Sequence, residues 1–555
     1  MDANDADPFF PFEHVAQRLA AAESLDSALR EAAARAGIPA SRLRAAAESH
    51  PDLMSEPGAP RVCRGTSCEL AGAAALARAA PDARPAYCLG YCDRSPALLD
   101  RAGRAHVRCA PEDVANALAG DGAEAAPAPR VRALGCEPIV TRRLARGDYS
   151  ALGDALRDGA YQALRRVLAS ASPDQVIDAV ERSGERGRGG AGYGTGVKWR
   201  ACASAPAARR FAIANGDEGD PGSYVDRALM ELDPHAVIEG LALCAFAIGA
   251  RDAIVFVRSE YPRAARCMER AVGEAEAAGW IGARAPHSLR VRVVRGFGSY
   301  VCGEETALIS ALEGGRAEAR PRPPYPTEVG LFGAPTVVNN VETLANVAWI
   351  LERGPAAFAA IGTRDSPGTK ALCLNAGFRA PGIVEVPFGI SLRDLIERGG
   401  ETPCARDALE GVVLGGPMGS FLRPEQCDVA IELSALRAAG IELGHGGLVA
   451  IPRGADLAAL ARHGFAFMAD ESCGRCTPCR AGSARAQALF ARGERDPDAG
   501  ALADVLDVME DASLCAFGRS APRPLRQLLR ALHAAPSAAR HEPPASEVEP
   551  SKARP

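Results

Sequence analysis

The run Ser183–Trp199, with the sequence SGERGRGGAGYGTGVKW, constrains the fold more than any other stretch. Seven glycines lie between Gly184 and Gly196, and each would cost roughly 0.5–1 kcal/mol relative to alanine inside a helix or strand. A backbone without Cβ atoms can instead approach a ligand and direct its N–H groups at phosphate, beside the charge of Lys198. A flexible linker is the alternative, but linkers are Gly/Ser mixtures and this run holds Arg, Lys, Tyr and Trp. The run therefore predicts a nucleotide-cradling loop.

The same run contains Gly187-x-Gly189-x-x-Gly192, which matches the dinucleotide-binding fingerprint. That fingerprint requires a strand immediately before it. The preceding residues, Asp174–Arg182, have the pattern of a helix instead. We therefore expect a phosphate-binding loop of a different kind.

Composition excludes several classes of protein. A length of 555 residues predicts about three or four domains. A net charge of −5 without a basic run does not predict nucleic-acid binding. The longest apolar stretch, Ala236–Ala250, is too short for a membrane span and includes Glu239, so we expect a buried helix and no membrane insertion. The acidic start MDANDADPFF argues against a signal peptide, and we expect a cytoplasmic protein.

Eight of the seventeen cysteines fall into two groups, the pattern of metal binding in a cytosolic protein. The first group is a C-x4-C pair and a C-x3-C pair twenty residues later, formed by Cys63, Cys68, Cys88 and Cys92. Structural zinc uses similar pairs and stays open as an alternative. The spacing and the small loop residues favour a two-iron cluster held by two thiolates on each iron.

The second group is a C-x2-C-x2-C run followed by one distant cysteine, and consists of Cys473, Cys476, Cys479 and Cys515. Three thiolates at two-residue gaps plus a fourth form the pattern that holds a cubane [4Fe–4S] cluster. Structural zinc sites use two pairs of ligands instead. The sequence therefore predicts a [4Fe–4S] centre near the C-terminus.

Strands and helices alternate in the middle of the chain, which is typical of a layered α/β domain. The pattern predicts strands at Arg210–Ala214, Ala253–Val257 and Leu289–Val294, a helix over 262–278, and a helix from Pro234 to Ala250 capped by Asp233. Residues 12–50 read as helical up to Pro51, and Gly120–Arg130 reads as a linker. In 366–452, strands at Ala371–Phe378, Ile383–Phe388 and Gly411–Leu414 flank a helix that begins with a capping-box-like pattern at Ser391 and Asp394.

Three further stretches carry candidate binding residues. Asn215–Arg227 places four carboxylates directly after a strand, where ligands bind in α/β folds, although a solvated turn is the alternative. Gly296–Gly315 is a second glycine-rich turn that leads into a helix N-terminus, which favours an anion, and it contains Tyr300. Adjacent Asn339 and Asn340 can hydrogen-bond a heteroaromatic ring through donors and acceptors together.

Two resemblances follow from these motifs. The C-x4-C and C-x3-C-x3-P pairs resemble the thioredoxin-like [2Fe–2S] module of the small flavoprotein-associated subunit of respiratory complex I. Residues of about 140 to 535 resemble the NADH- and FMN-binding subunit of complex I and the diaphorase subunits of NAD-reducing hydrogenases and of NAD-dependent formate dehydrogenases. The motifs GRGGAGYGTGVKW, NGDEGDPGSYVDR, YVCGEETAL, PTVVNNVETL and ESCGRCTPCR stand in the order of that family.

The resemblance implies a multidomain α/β protein. It implies N-terminal helices plus a thioredoxin-like [2Fe–2S] domain over 1–118, a linker over 119–135 and a Rossmann-like FMN- and NADH-binding domain over 136–365. A small ubiquitin-like β-grasp domain would follow over 366–452, then a helical bundle carrying the [4Fe–4S] cluster over 453–535 and a disordered tail over 536–555.

The resemblance also implies four cofactors, FMN, NAD(H), a [4Fe–4S] cluster and a [2Fe–2S] cluster. The residues that would hold FMN are Gly187, Arg188, Gly189, Lys198, Asn215, Asp217, Glu218, Gly303, Glu304, Asn339, Asn340 and Thr343. Those that would line the NADH site are Tyr193, Asp220, Tyr300, Glu305, Arg322 and Tyr325. Asp220 would stand at the adenosine ribose and favour NAD over NADP. The chain departs from relatives at Arg322, where lysine is frequent, and at Ala201, where an aromatic residue is frequent.

The expected reaction is hydride transfer between NAD(H) and FMN, coupled to single-electron transfer through the iron–sulfur clusters. No acid–base catalytic residue is expected, because the flavin carries the chemistry. The expected partner is the catalytic subunit of a soluble NAD-dependent formate dehydrogenase, together with a further iron–sulfur subunit. A hydrogenase or a complex I-type enzyme is the alternative, and a zinc-binding assembly or scaffold protein is the rival from another class.

Overall fold

The computed structural model describes residues 8–119 and 126–534. The predicted tail, 536–555, lies outside the described residues, as do residues 1–7 at the acidic start. The described part contains three β-sheets. Within it, no helix combines the length and the apolar character needed to cross a bilayer.

Three helices begin the described chain, and they are α1 (Pro11–Ala20), α2 (Leu25–Ala36) and α3 (Ala40–Ala47). Their buried alanines and leucines form a small core with Phe12 and Val15, as the alanine-rich pattern predicts. Ser24 fixes the start of α2, because its Oγ accepts a hydrogen bond from the backbone N–H of Ser27 at 3.3 Å.

A four-stranded sheet carries the first cysteine group. Its strands are β1 (Arg61–Cys63), β2 (Arg84–Ala86), β3 (Ala97–Leu99) and β4 (Ala105–Val107), in the order β2-β1-β3-β4. The helices α4 (Thr66–Leu70), α5 (Ala73–Ala79) and α6 (Val114–Ala119) accompany it. Because β1 and β2 are parallel, with Cys63 in register with Ala86, both cysteine pairs leave the same edge of the sheet. The thioredoxin-like assignment stays a prediction.

The predicted linker over 119–135 contains a strand. β5 (Val131–Ala133) pairs in parallel with β11 (Gly382–Pro387), and Val131 is in register with Ile383. Three residues are too few to show a strand periodicity, and the partner strand follows about 250 residues later, so the pattern could not reveal it. The chain therefore contributes a strand to the sheet of the third domain before the residues of the central domain begin.

The central domain is a parallel sheet between helices. Its strands are β6 (Phe211–Gly216), β7 (Asp252–Val257), β8 (Arg290–Arg295) and β9 (Thr336–Asn340), in the order β8-β7-β6-β9. Its helices are α7 (Leu152–Arg157), α8 (Gln162–Ser170), α9 (Pro173–Ser183), α10 (Thr195–Ser204), α11 (Val225–Leu232), α12 (Pro234–Ile248), α13 (Pro262–Ala277), α14 (Glu305–Leu312), α15 (Val341–Arg353) and α16 (Pro355–Ala359). The three strands and two helices expected here are confirmed to within two residues at each end.

The N-cap that the sequence predicts at Asp233 is not formed by its side chain. Asp233 precedes Pro234 at the start of α12, but its side chain makes no capping hydrogen bond. Its carboxylate instead accepts from Arg143 Nη1 at 3.2 Å, and both side chains are buried. Burial of a charge is tolerated only with a partner, so the buried Arg143 guanidinium takes the carboxylate that the helix N-terminus would otherwise bind.

The third domain has a mixed six-stranded sheet. Its further strands are β10 (Thr369–Leu374), β12 (Leu409–Leu414), β13 (Ser420–Leu422) and β14 (Gly447–Pro452), in the order β13-β12-β14-β10-β11-β5. The helices are α17 (Leu392–Asp394) and α18 (Leu433–Ala438). Ser391 caps α17 as expected, because its Oγ accepts from the N–H of Asp394 at 3.0 Å. The β-grasp assignment stays a prediction.

Helices complete the described chain, and they are α19 (Leu457–Asp470), α20 (Thr477–Ala491), α21 (Gly500–Ala512), α22 (Ala516–Ser520) and α23 (Pro522–His533). They bury Phe465, Phe490 and Leu506 in one core. Cys476 and Cys515 are the residues that precede α20 and α22. The second cysteine group therefore lies where two helices begin.

Candidate cofactor site and cysteine groups

The strand order reverses between β6 and β9, and the candidate site lies at the carboxyl ends of these two strands. Two contacts join its segments across the cleft. Asn215 Nδ2 donates to the carbonyl of Gly303 at 2.9 Å, and the backbone N–H of Arg188 donates to Thr343 Oγ1 at 2.8 Å. Ligands bind at such switch points in open α/β sheets, so the fold assembles the glycine-rich loop, the acidic loop and the asparagine pair where a ligand is expected.

Helix α10 brings a cation to the same place. Lys198 Nζ donates to the carbonyl of Val338 at 2.8 Å and to the Glu305 carboxylate at 2.6 Å. The neighbouring Trp199 is fully buried, and its Nε1 donates to Asn339 Oδ1 at 2.8 Å. Trp199 therefore anchors the helix on β9 while Lys198 reaches the strand end.

The glycine positions form a cradle for a flat ligand. A Cβ on Gly189 would come within 3.2 Å of Asn340 Cβ, and a Cβ on Gly303 would come within 3.1 Å of the Asp217 carbonyl. The loops therefore approach one another closely, and a larger residue at either position would force them apart. The starts of α14 and α15 lie beside these loops, and the side chains of Glu304 and Asn340 cap their first N–H groups. Lys198 and the glycine-rich backbone suit a phosphate, and Asn339 and Asn340 suit a flat heteroaromatic ring. The residues present therefore fit a phosphate-bearing, planar cofactor such as FMN.

The predicted FMN residues that meet in this cleft are Gly187, Gly189, Lys198, Asn215, Asp217, Gly303, Glu304, Asn339, Asn340 and Thr343. Arg188 differs, because its guanidinium is buried against the Glu185 carboxylate, the Pro367 carbonyl and the ring of Phe388. Its side chain is therefore engaged inside the protein, and only its backbone borders the cleft.

The acidic loop is buried, so the alternative of a solvated turn is excluded. The side chains of Asp217, Glu218, Asp220 and Asp226 are each less than a tenth exposed. Burial raises the pKa of Asp217 well above its usual range and raises the pKa of Asp220. Glu218 organises the loop, because its carboxylate accepts from the N–H groups of Asp226 and Arg227 at 3.2 and 3.0 Å. The loop is thus a rigid, charged wall of the cleft.

His445, which the sequence analysis missed, is inserted into this acidic loop from the third domain. Its Nδ1 lies 3.2 Å from Glu218 Oε1 and its Nε2 lies 2.9 Å from Asp226 Oδ2. Burial alone would lower the pKa of His445, but Asp226 and Glu218 outweigh burial and hold the pKa well above 6.5. Asn340 Nδ2 also donates to Asp226 Oδ2 at 2.5 Å. Through Asp226, the His445 imidazolium therefore helps to fix Asn340, a residue expected to hold the flavin.

Arg258, also missed, joins the acidic loop to the first cysteine group. Its Nη1 donates to the Glu218 carbonyl at 2.6 Å and its Nη2 to the Tyr87 carbonyl at 2.7 Å, one residue before Cys88. The Glu260 carboxylate accepts from the same guanidinium at 2.8 Å. Arg258 is 3% exposed, so this charge is fully enclosed. No local pattern in the sequence marks its role, since two of its three partners lie in distant segments.

The residues predicted for NADH fall into two sets. Tyr300 Oη donates to the Asp220 carboxylate, and both side chains are buried. Tyr193 and Tyr325 are 57% and 53% exposed. The exposed rings are accessible to a ligand, whereas the Asp220–Tyr300 pair forms part of the wall.

The predicted cations of the cleft are held by carboxylates. Arg322 Nη1 donates to Glu305 at 2.8 Å and Nη2 to Glu304 at 3.1 Å. Glu304 also accepts from the N–H groups of Thr306 and Ala307 at the start of α14. A phosphate entering the cleft would therefore compete with these two carboxylates for the cations. Ala201 is exposed on α10, so an aromatic ring at this position would be accessible.

The first cysteine group is enclosed in the protein core. All four thiols are at most 1% exposed, with the sulfurs of Cys63 and Cys88 3.8 Å apart and those of Cys88 and Cys92 3.3 Å apart. Tetrahedral zinc would hold every pair of sulfurs at about 3.8 Å. Among the described residues, the only three or more candidate ligand atoms that lie mutually within 4.8 Å belong to Glu218, Asp226 and His445. The four thiols therefore form one enclosed group, and a [2Fe–2S] cluster there stays a prediction.

The second cysteine group lies nearer the surface. Cys473 and Cys476 are partly exposed, and Cys479 and Cys515 are 5% and 8% exposed. The N–H of Leu514 lies 3.5 Å from Cys476 Sγ, which brings the distant Cys515 segment onto the run. No three of these sulfurs lie mutually within 4.8 Å, so they also do not have the spacing of a zinc site.

The cleft and the second cysteine group are in contact. The N–H of Tyr300 donates to Glu471 Oε2 at 3.2 Å, two residues before Cys473. The Tyr300 ring packs on Phe517, two residues after Cys515, with 5.5 Å between ring centroids. Fold and site together therefore define the class of α/β proteins with a nucleotide-binding cleft, here beside two groups of cysteines that can hold metal.

Comparison with known proteins agrees. Residues 180–349 match the family described as the Nuo51 FMN-binding domain, and residues 459–536 match the NADH-ubiquinone oxidoreductase-F iron-sulfur binding region. The NADH-quinone oxidoreductase F-2 subunit of Rhizobium meliloti (strain 1021) is 43% identical over 349 residues, which cover 62% of this chain and 83% of the relative. The NADP-reducing hydrogenase subunit HndC of Solidesulfovibrio fructosivorans is 39% identical over 396 residues, 70% of this chain and 80% of the relative.

A solved structure extends the likeness to nearly the whole chain. The crystal structure of an NAD+-reducing [NiFe]-hydrogenase in the H2-reduced state has a chain that is 31% identical, with a TM-score of 0.80, and 95% of this chain and 93% of that chain are covered. The chain belongs to the family of the NADH-quinone oxidoreductase F subunits, which are NADH dehydrogenase-type oxidoreductases. The expected resemblance, FMN and the [4Fe–4S] cluster are thereby confirmed, while the [2Fe–2S] cluster stays a prediction.

Proposed function

We propose that this chain is the diaphorase subunit of a multi-subunit oxidoreductase. In this role it transfers hydride between NAD(H) and FMN and passes single electrons to its clusters. The observation that carries the proposal is the contact of Tyr300 with both ends of the second cysteine group, through Glu471 and Phe517. The cleft at the strand ends and the cluster-binding helices thereby share one wall.

The protein's part in this reaction is to bind and orient. FMN, when bound, supplies the hydride and single-electron chemistry. Lys198 and the glycine-rich loop would hold its phosphate, and Asn339 and Asn340 would hydrogen-bond its ring. The buried acidic loop would exclude water from one side of the ring. The exposed Tyr193 and Tyr325 would receive the nucleotide.

Asp220 supports a preference for NAD over NADP. Its carboxylate would repel a 2′-phosphate on the adenosine ribose, while the relative HndC is named as part of an NADP-reducing hydrogenase. We expect the Asp220→Asn variant to lose much of its discrimination, measured as the ratio of kcat/KM for NADH and NADPH. Exposed Asp407→Asn, in the third domain, is the matched control. An unchanged ratio in Asp220→Asn would contradict this role.

The partner is the finer part of the proposal. A formate dehydrogenase catalytic subunit is the partner expected from the sequence. Similarity over 95% of the chain to a subunit of an NAD+-reducing hydrogenase, a span that includes the N-terminal module, favours a hydrogenase as second candidate. A further iron–sulfur subunit would complete either complex.

Purification of the tagged chain with its native partners tests the whole proposal. We expect FMN, iron with acid-labile sulfide, and NADH-dependent reduction of an artificial acceptor. Molybdenum or tungsten in the co-purified complex would identify a formate dehydrogenase, and nickel a hydrogenase. Zinc in both cysteine groups without flavin would overturn the proposal in favour of the scaffold protein.

A further inference from the structure

Ser513 carries a buried hydroxyl without a hydrogen-bond partner. The residue is 1% exposed, and among the described residues no donor or acceptor meets its Oγ. Its backbone is fully used, because its N–H donates to the Met509 carbonyl at 3.3 Å and its carbonyl accepts from Arg519 Nε at 2.7 Å. Native proteins rarely leave such a group unpaired, and each exception requires an explanation.

The position of the hydroxyl supplies one. Ser513 stands two residues before Cys515, directly after α21. A Cβ built on Gly518 would overlap the Ser513 side chain and come within 2.9 Å of Cys479 Cβ. The serine side chain and Cys479 therefore both pack on Gly518, and the ligand Cys515 follows Ser513 by two residues in the chain.

Other polar groups around these cysteines already have partners. Ser472 Oγ lies 3.3 Å from Cys479 Sγ, and the N–H of Leu514 lies 3.5 Å from Cys476 Sγ. Ser483, equally buried in α20, donates to the Arg480 carbonyl at 3.4 Å. Ser513 differs from these groups because its hydroxyl has no hydrogen-bond partner among the described residues.

We propose that the Ser513 hydroxyl donates a hydrogen bond to a sulfur of the [4Fe–4S] cluster and thereby raises the reduction potential of that cluster. The proposal rests on the proposed function, since it requires the cluster to be bound. Hydrogen bonds to the sulfurs are one of the factors that set the potential. Reduction adds negative charge to the cluster, and the hydroxyl dipole stabilises the reduced form more than the oxidised form. Ser513 is thus a positioning residue that tunes the electron acceptor.

The test is a redox titration of the purified holoprotein followed by EPR. We expect Ser513→Ala to lower the midpoint potential of the cubane by about 59 mV, a tenfold shift of the one-electron equilibrium. Ser513→Thr keeps the hydroxyl and should restore the potential. Ser483→Ala removes an equally buried but partnered hydroxyl from the same domain and should leave the potential unchanged.

Two results would overturn the proposal. A cubane in Ser513→Ala with the potential of the unaltered protein contradicts the hydrogen bond and leaves the proposed function intact. Absence of any cubane signal from the unaltered protein contradicts both. Should Ser513→Ala assemble no cluster, Ser513→Val against Ser513→Thr makes the same comparison between side chains of equal shape, and equal potentials in that pair would overturn the proposal.

Discussion

The two cysteine groups differ in how deeply the fold encloses them. The thiols of Cys63, Cys68, Cys88 and Cys92 are at most 1% exposed and belong to a core shared with the nucleotide-binding domain. In the second group, Cys473 and Cys476 are partly exposed, and Cys476 stands at the start of a helix. A metal bound in a core contributes to folding, whereas a cluster near the surface is within reach of another chain. The first group is therefore enclosed in a core that two domains share, whereas the second is accessible from the surface.

The two groups nevertheless share one feature. Ser67, beside Cys68, and Ser513, before Cys515, each have a buried hydroxyl that finds no partner in the described part of the chain. Both groups also contact the nucleotide cleft, the first through Arg258 and the second through Tyr300. The two groups thus differ in how deeply their cysteines are buried, whereas both contact the nucleotide cleft.

Removing one ligand from each group should have the largest effect and tests this difference directly. We expect Cys88→Ala to lose the N-terminal cluster and to lower the melting temperature by on the order of 10 °C, because metal binding there is coupled to core folding. Cys476→Ala should lose the cubane and onward electron transfer but keep flavin and most of the stability. Iron, sulfide and flavin contents with thermal unfolding measure both.

Cys109→Ala is the control for these variants, since Cys109 is buried in the N-terminal domain and belongs to neither group. It should keep the full iron content. Equal losses of stability in Cys88→Ala and Cys476→Ala would break the comparison.

The second prediction concerns the attachment of the first group. Arg258→Met leaves the buried carboxylate of Glu260 without its partner and should cost about 3–5 kcal/mol in the free energy of unfolding. The double variant Arg258→Met/Glu260→Gln should recover part of that loss. Urea unfolding measures both, and Arg406→Met, which breaks an exposed pair with Glu425, should change nothing measurable. A neutral Arg258→Met would show that the N-terminal module is held by other contacts.

The third prediction uses His445 as a reference that touches neither cluster. Its folded-state pKa is raised well above 6.5, so the stability it contributes is complete below that pH and is lost as the pH rises through the raised pKa. The stability difference between the unaltered protein and His445→Gln should therefore shrink in alkaline solution. Thermal unfolding across the pH range measures this difference, and a gap that widens with pH would contradict the imidazolium.

The smallest effect is expected where the two cluster domains meet. The Tyr87 ring packs edge-on against Phe467 with 5.1 Å between centroids. Such pairs contribute about 0.5–1.5 kcal/mol beyond burial, so Tyr87→Leu should destabilise by roughly that amount. Both EPR signals should persist with unchanged potentials. A lost N-terminal signal would mean that this ring, and not only Arg258, fixes the first group.

Motifs carried by neighbouring residues were predictable from sequence. The glycine-rich loop, the asparagine pair and the run from Cys473 to Cys479 are each defined by local spacing, and the parallel strands before them follow from apolar runs between turn residues. The cleft residues could be assigned because each motif ends a strand or begins a helix.

Contacts between distant segments were not predictable. His445 binds carboxylates more than 200 residues away, and Arg258 binds the carbonyls of Tyr87 and Glu218 in distant segments, so no local pattern reveals either role. Arg188 lies in the right motif, but its guanidinium turns to Glu185 and Phe388, a direction that spacing does not encode.

The strand β5 has a consequence for how the protein is made. Its residues emerge from the ribosome about 240 residues before β10, the first strand of the same sheet to follow. β11, the parallel partner of β5, and the central β14 are synthesised later still. Val131–Ala133 therefore has no strand of its own sheet to pair with while the nucleotide-binding domain is synthesised. A chain that begins at residue 136 would lack β5, so the sheet of the third domain would lose its edge strand. The fragment that ends there would contain β5 without the other strands of that sheet.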